Sequence, residues 1–272
     1  MKYLINLGDY NHSNFEEIKK SFNFEILNFQ KYLGAISVTN KQSKLVSDNF
    51  SEMLKEYNEG FGNVFFVNHN SSHEVSALTS ALCFKKNGRQ YNEKIILNFD
   101  YHSDYSSFEK SEIKYCNWGV CIHKQSYKNY IDKKDCKYSY YSTDFGNGKR
   151  KCRDIKELNS IINEICKKQN EIDLYITIDT DVYIKNLTSY GDGVFAFEAI
   201  LEQLNQLKNT KSCKINFCGA DITGYPDIVS GYYNEDTKKI YLSELDGTTK
   251  SNLIKNSVEK INCLLAFFDS WK

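Results

Sequence analysis

Lys94-Ile95-Ile96-Leu97-Asn98-Phe99-Asp100-Tyr101-His102-Ser103-Asp104 sets an apolar run directly against three metal-ligand residue types at every second position. The run reads as a strand buried on both faces. Residues two apart in an extended chain point to the same side, so Asp100, His102 and Asp104 converge if the strand period persists into the loop. A helix would scatter them, because residues two apart do not share a helical face. Leu174-Tyr175-Ile176-Thr177-Ile178 runs in the same way into Asp179-Thr180-Asp181. A further apolar run, Val64-Phe65-Phe66-Val67, precedes His73, which reads as opening a helix. Alone, His73 reads as a helix-start histidine held by a carbonyl, and Asp-Thr-Asp as a turn or cap. Together these strand ends point to a hydrolase site for two metal ions, with His73, Asp100, His102, Asp104, Asp179 and Asp181 as ligands.

Around these fragments the chain alternates apolar runs with helical patterns. Strands are expected at Tyr3–Leu7, Ala35–Val38, Val64–Val67, Lys94–Phe99, Gly119–Ile122, Leu174–Ile178 and Ile215–Cys218. Helices are expected at Asn14–Ser21, Ser43–Asn58, His73–Phe84, Ile155–Gln169, Phe195–Leu207 and Ser251–Ser270. Such alternation argues a mainly parallel sheet covered by helices, whose sites form beyond the carboxyl ends of the strands. All the ligand fragments lie at such ends. No Gly-, Pro- or Ser-rich linker divides residues 1–272, which read as a single α/β domain. The Tyr- and Lys-rich stretch from Lys124 to Arg153 reads either as a hairpin around Asn147-Gly148 or as a flap bordering the site.

Composition excludes several classes. With 35 basic and 35 acidic residues, nothing pulls the chain toward nucleic acid or an anionic membrane. No apolar run approaches the ~20 residues of a membrane span, and the apolar start Met1–Gly8 reads as a first strand rather than a leader. Nine scattered cysteines form no Cys-x-x-Cys pair. Reduced thiols and a cytoplasmic location are the expectation. The last helix carries a stripe of Leu253, Ile254, Val258, Ile261, Leu264, Leu265 and Phe268, which can cover its own sheet or a partner, so a homo-oligomer is left open.

Four aspartates crowded at one point repel unless cations balance them. Two divalent ions balance four negative charges. The oxygen-rich set, with one imidazole per ion and no thiolate, favours Mn²⁺ over Mg²⁺, Fe²⁺, Co²⁺ or Zn²⁺. Such a pair generates a hydroxide nucleophile near neutral pH.

These motifs resemble the ureohydrolase family of arginases, agmatinases and formimidoylglutamases. There a His opening a helix, an Asp-x-His-x-Asp and a later Asp-x-Asp bind two Mn²⁺, matching His73, Asp100, His102, Asp104, Asp179 and Asp181. The stretches Gly191–Ile200 and Ala220–Pro226 also resemble the family, and the likeness covers roughly residues 60 to 268. It implies a three-layer α/β/α sandwich and hydrolysis of a guanidino carbon–nitrogen bond with release of urea. Asp104 would relay the proton. The chain departs from the family where Asn70-Ser71-Ser72-His73 replaces a Gly-Gly-Asp-His and where no proline follows Asp179-Thr180-Asp181. The family's proton-shuttling His would fall near Asn117-Trp118, leaving His123 as a substitute. Its late guanidinium-binding acid falls nearest Thr223 or Gly224, with Asp221 and Asp227 as candidates and Asn117 as a further substrate contact.

Asn117-Trp118 and the Asp221 loop resemble the peptide arginases, which convert arginine to ornithine within peptides. Where arginases place partners for a free α-carboxylate, the chain carries bulky Tyr105 and Phe108. The implied substrate is an arginine-containing peptide. The alternatives are a small guanidino compound such as arginine or agmatine, or a non-catalytic metal-binding relative. A one-zinc amide deacetylase fits the doubled aspartates poorly.

Overall fold

The computed structural model describes residues 2–6, 23–28, 55–60, 62–67, 70–102, 104, 118–121, 125–131, 137–143, 155–182, 195–224, 231–234, 238–241 and 245–271. Strands β1 (Lys2–Asn6), β2 (Glu25–Asn28), β3 (Val64–Val67), β4 (Glu93–Phe99), β5 (Tyr138–Ser142), β6 (Glu171–Asp179) and β7 (Lys214–Thr223) form one sheet, ordered β2-β1-β3-β7-β6-β4-β5. Every pairing in it is parallel. The central strands β4 and β6 are buried almost throughout, as their unbroken apolar runs require. A separate antiparallel pair, β8 (Gly231–Asn234) and β9 (Lys238–Tyr241), follows β7 in sequence.

Two hydrophobic clusters cover the two faces of the sheet. On one face Ile96 and Tyr175 meet α1 (Ser76–Asn87), α2 (Trp118–Cys121) and α3 (Gln125–Ile131). On the other Ile95, Leu97, Ile176 and Ile178 meet α4 (Ile155–Cys166), α5 (Phe197–Lys208) and α6 (Gly247–Asp269). The result is the three-layer α/β/α sandwich expected. Asp246 caps α6, its carboxylate accepting the backbone N–H groups of Thr248 and Thr249. Among the described residues no helix is long and apolar enough to cross a membrane.

Several expectations need correction. Gly119–Ile122, expected as a strand, lies in α2 as far as Cys121, because a four-residue apolar run carries no period that separates strand from helix. The helix is set there by tertiary bonds described below. The described part of the Lys124–Arg153 stretch holds α3 and β5, which pairs in parallel with β4; Asn147-Gly148, around which a hairpin is expected, lies outside the described residues. His73 sits in a 3-10 turn, Asn70–Val75, just ahead of α1. Cys166 and Cys213 are paired as a disulfide rather than reduced, joining the end of α4 to the approach to β7. Ala35–Val38 and Asn14–Ser21 lie outside the described residues.

One irregularity matters for the site. Residues of β6 and β7 pair in step until Leu174 meets Phe217, and the next pair is Tyr175 with Gly219. The extra residue, Cys218, is a β-bulge, and it reverses which face each later side chain meets. Ile215 and Phe217 pack with the α4–α6 face, as do Ala220 and Ile222 after the bulge. Gly219, Asp221 and Thr223 are thereby turned toward α1. Gly219 has no room for a side chain, since a Cβ there would lie 2.3 Å from Cys83 Sγ and 2.6 Å from the Asn63 carbonyl. Gly219→Ala should therefore destabilise the fold by about 1–3 kcal/mol through overpacking. Thermal melting would check this, and an unchanged Tm would contradict the packing described.

Candidate metal centre

The centre lies at the carboxyl ends of β4 and β6, with the turn after β3 alongside. Asp100 follows the last residue of β4, and Asp179 is the last residue of β6. Asp181 sits in the 3-10 turn Thr180–Val182. Parallel strands bring these ends together because Phe99 is in register with Ile178, and Asp179 with Thr223. The alternating spacing survives past the strand because Asp100 turns the chain on itself, Oδ1 accepting the His102 N–H at 2.7 Å. Asp179 Oδ1 does the same for the Asp181 N–H at 3.0 Å.

Two donor groups result, and they share Asp100. In the first, of His73, Asp100 and Asp179, His73 Nδ1 lies 3.1 Å from Asp100 Oδ2 and 3.5 Å from Asp179 Oδ2; Asp104, outside the group, brings its Oδ2 to 2.7 Å from the same nitrogen. In the second, His102 Nδ1 lies 3.0 Å from Asp181 Oδ2 and 3.7 Å from Asp100 Oδ1. Asp100 thus turns one oxygen to each group, the arrangement of a bridging carboxylate. The four aspartates and His73 are buried; His102 is exposed on the open side, its side chain at 47 %.

Whether these residues fit metal ions can be judged from His73. Its Nε2 lies 2.9 Å from Thr177 Oγ1, whose hydroxyl donates to Asp221 Oδ1 at 2.7 Å. A hydroxyl that gives its proton to a carboxylate must accept from the imidazole, so Nε2 carries the ring proton. Nδ1 is then the nitrogen turned to three carboxylate oxygens, and it meets them with a lone pair once its own proton has left. Lone pairs converge there, and a cation resolves the repulsion. The donor set fits.

Without ions, protons do part of this work. Burial pushes Asp104 up to about 7, and the Asp100 charge adds to that. Burial and the charge of Asp100 likewise raise Asp181 to about 6. Asp179 is raised well above the carboxylate range by burial, then by Asp181 and Asp100. Burial disfavours a charged His102, yet hydrogen bonds to Asp100 and Asp181 push it up to about 12. Burial opposes charge on His73 too, and the carboxylates of Asp104 and Asp100 override it and hold its pKa well above the ordinary value.

Of the other residues singled out in the sequence, Asp221 is the one the structure relocates. It lies inside β7, fully buried, not in a substrate loop. Its carboxylate accepts from Ser76, Thr177 and Thr223 at Oδ1 and from Thr79 and Tyr175 at Oδ2. No oxygen is left for a guanidinium, so its place is behind His73, orienting Thr177. His123, Asn117 and Asp227 lie outside the described residues. Sequence reading missed Thr177 and Tyr175, although both stand at two-residue intervals before Asp179. It also missed Tyr140 and Asn98, for which only the folded chain gives a signal, and it singled out Trp118 by resemblance without placing it beside Asp104.

No protein-family model matches the chain, and no curated protein is similar to it in sequence. Solved structures are similar in fold. Arginase from Bacillus subtilis subsp. subtilis str. 168 matches with a TM-score of 0.50 at 12% identity, over 97% of this chain and 98% of that one. Entamoeba histolytica arginase in complex with L-ornithine gives 0.49 at 11% identity, over 96% and 97%. Formimidoylglutamase from Bacillus subtilis gives 0.48 at 12%, over 96% and 86%. The first of these carries the comparison. The open, all-parallel seven-stranded sheet with helices on both faces is the arginase-like α/β fold. The resemblance to the ureohydrolases read from the ligand motifs is thereby supported at the level of the fold.

Two outcomes test the centre. Thr177→Val keeps the shape but leaves the His73 Nε2–H unpaired, so Mn²⁺ affinity should fall about 10–100-fold while the fold persists; isothermal titration with circular dichroism would check both. Ions must displace protons from carboxylates raised to about 6 and about 7, so Mn²⁺ affinity should climb as pH rises through that window. Titrations between pH 5.5 and 8 showing a flat affinity would contradict this.

Proposed function

We propose that this protein is a metal-dependent hydrolase that cleaves a guanidino carbon–nitrogen bond and releases urea, with arginine in a peptide as its leading substrate. The observation that carries the reading is the pair of donor groups joined through Asp100 at the strand ends of an arginase-like sheet. His73, Asp100, Asp104 and Asp179 would hold one ion, and Asp100, His102 and Asp181 the other. Two Mn²⁺ ions, when bound, supply Lewis acidity and lower the pKa of water toward neutrality.

The chain's own residues have separable tasks. Asp100 ties the two donor groups at a fixed separation, with the Asn98 amide donating to its Oδ2 at 3.1 Å. His73 offers Nδ1 because Thr177 occupies Nε2. Asp104, whose Oδ2 lies against His73 Nδ1 at the centre, would take up the proton given up by water there, as a carboxylate beside a nucleophile can. Trp118 donates to Asp104 Oδ2 at 2.6 Å, but an indole cannot accept a proton. It therefore holds Asp104 without relaying through it, and His123 is the second candidate for the shuttle. The open side at His102 is where a guanidinium would approach.

Asn117-Trp118, with Tyr105 and Phe108 after Asp104, supports the peptide as substrate over the free amino acid, by resemblance to the peptide arginases. Mass spectrometry of an arginine-containing peptide incubated with Mn²⁺-loaded protein tests the reading. Loss of urea removes a net CH₂N₂, so the peptide should lighten by about 42 Da. Rapid turnover of free arginine or agmatine with no peptide shift would make this a small-molecule ureohydrolase. Two bound ions with no urea from any of these substrates would make it a non-catalytic metal-binding protein.

A further inference from the structure

Trp118 is fully buried at the first position of α2, and its surroundings are unusually specific for a tryptophan. Its indole Nε1–H donates to Asp104 Oδ2 at 2.6 Å, the same oxygen that lies 2.7 Å from His73 Nδ1. Its ring lies 5.0 Å from the His73 ring and meets Tyr140 edge-on at 5.1 Å. Tyr140 in turn accepts the Asn98 amide at 2.7 Å, and that amide also reaches Asp100 Oδ2 at 3.1 Å. One side chain therefore touches, directly or through a single chain of contacts, Asp104, His73 and Asp100. His73 and Asp100 belong to the first donor group and Asp104 lies against its His73; apart from the shared Asp100, no contact described for Trp118 extends to the second.

The neighbouring residue completes the clamp. Gly119 donates its N–H to the Asp104 carbonyl at 3.0 Å, so α2 grips that residue at its backbone as well as its carboxylate. Asp104 has φ +49°, the left-handed region that costs most residues and that aspartate tolerates better than most. A conformation of that kind persists where its surroundings enforce it. Gly119 comes this close because it lacks a side chain: a Cβ there would lie 2.7 Å from the Tyr140 ring. The pair Trp118-Gly119 thus aims one carboxylate from both ends.

We propose that Trp118 is the positioning residue of the His73 half of the centre, fixing Asp104 Oδ2 and buttressing His73 so that this half binds its ion more tightly than it otherwise would. The inference rests on the two-ion reading above. An indole suits the task because it is a donor that never exchanges its proton and fills the gap between the two rings with apolar surface. Outer partners of this kind typically contribute 10–100-fold to metal affinity. The His102 half, which Trp118 does not reach except through Asp100, would be affected far less.

Mn²⁺ uptake by Trp118→Phe tests this, with calorimetry for affinities and electron paramagnetic resonance for the pairing of ions. The expected result is one ion bound about as in the wild type and the other about 10–100-fold more weakly. At limiting Mn²⁺ the exchange-coupled signal of an ion pair should then give way to that of isolated ions. Wild-type affinity for both ions in a folded Trp118→Phe overturns the inference and leaves the two-ion reading standing. Uptake of fewer than two ions by the wild type overturns both. Should Trp118→Phe fail to fold, Trp271→Phe decides, because the chain has 2 tryptophans and this variant keeps Trp118 alone. Its emission should be quenched as Mn²⁺ fills the centre, and emission unchanged at full loading overturns the inference.

Discussion

Four buried carboxylates, three of them gathered around Asp100, cannot all be ionised side by side without positive charge among them, and that constraint orders the rest of the molecule. Asp100, Asp104, Asp179 and Asp181 are each at most 5 % exposed. Water does little to screen charges so deeply buried, so the repulsion is carried by protons or by ions. Burial first, and that repulsion after it, raises the pKa values of Asp104, Asp179 and Asp181 in the protein by itself. Two imidazoles stand one in each group.

The surroundings answer the same constraint with hydrogen bonds rather than charges. Asp221 is a buried carboxylate with five hydroxyl partners, a shell that stands in for water. Those hydroxyls explain why α1, whose residues Ser76 to Phe84 are all buried, carries Ser76 and Thr79 where a packed helix would ordinarily be apolar. The shell ends at Thr177, which passes its orienting effect to His73. On the opposite flank Trp118 performs the corresponding service for Asp104. These side chains are therefore held by groups that donate hydrogen bonds in fixed directions.

Asp221 also shows how one residue of backbone decides a side chain's meaning. From Ala220-Asp221-Ile222-Thr223-Gly224-Tyr225-Pro226 it reads as the acid of a substrate loop. The strand instead runs on through Thr223, and the bulge at Cys218 turns Asp221 inward toward α1. A one-residue slip moves every later side chain to the other face. Nothing in the apolar pattern around Ile215–Cys218 announces that slip, since the strand is covered by helices on both sides.

From the sequence alone come the class of fold and the chain order of the residues that gather at the centre: apolar runs of strand length, two of them leading into acids at two-residue spacing, one with a histidine between. That much is legible because the strand period is local and strand ends in a parallel sheet share one edge. Folding was needed to place β5 in that sheet, to start a helix at Trp118 and to turn Asp221 inward. It also decided which nitrogen of His73 is free. Each of these depends on contacts between residues far apart in sequence, the bond from Thr177 to Asp221 and that from Trp118 to Asp104 among them. Short apolar runs carry no period strong enough to foretell such contacts.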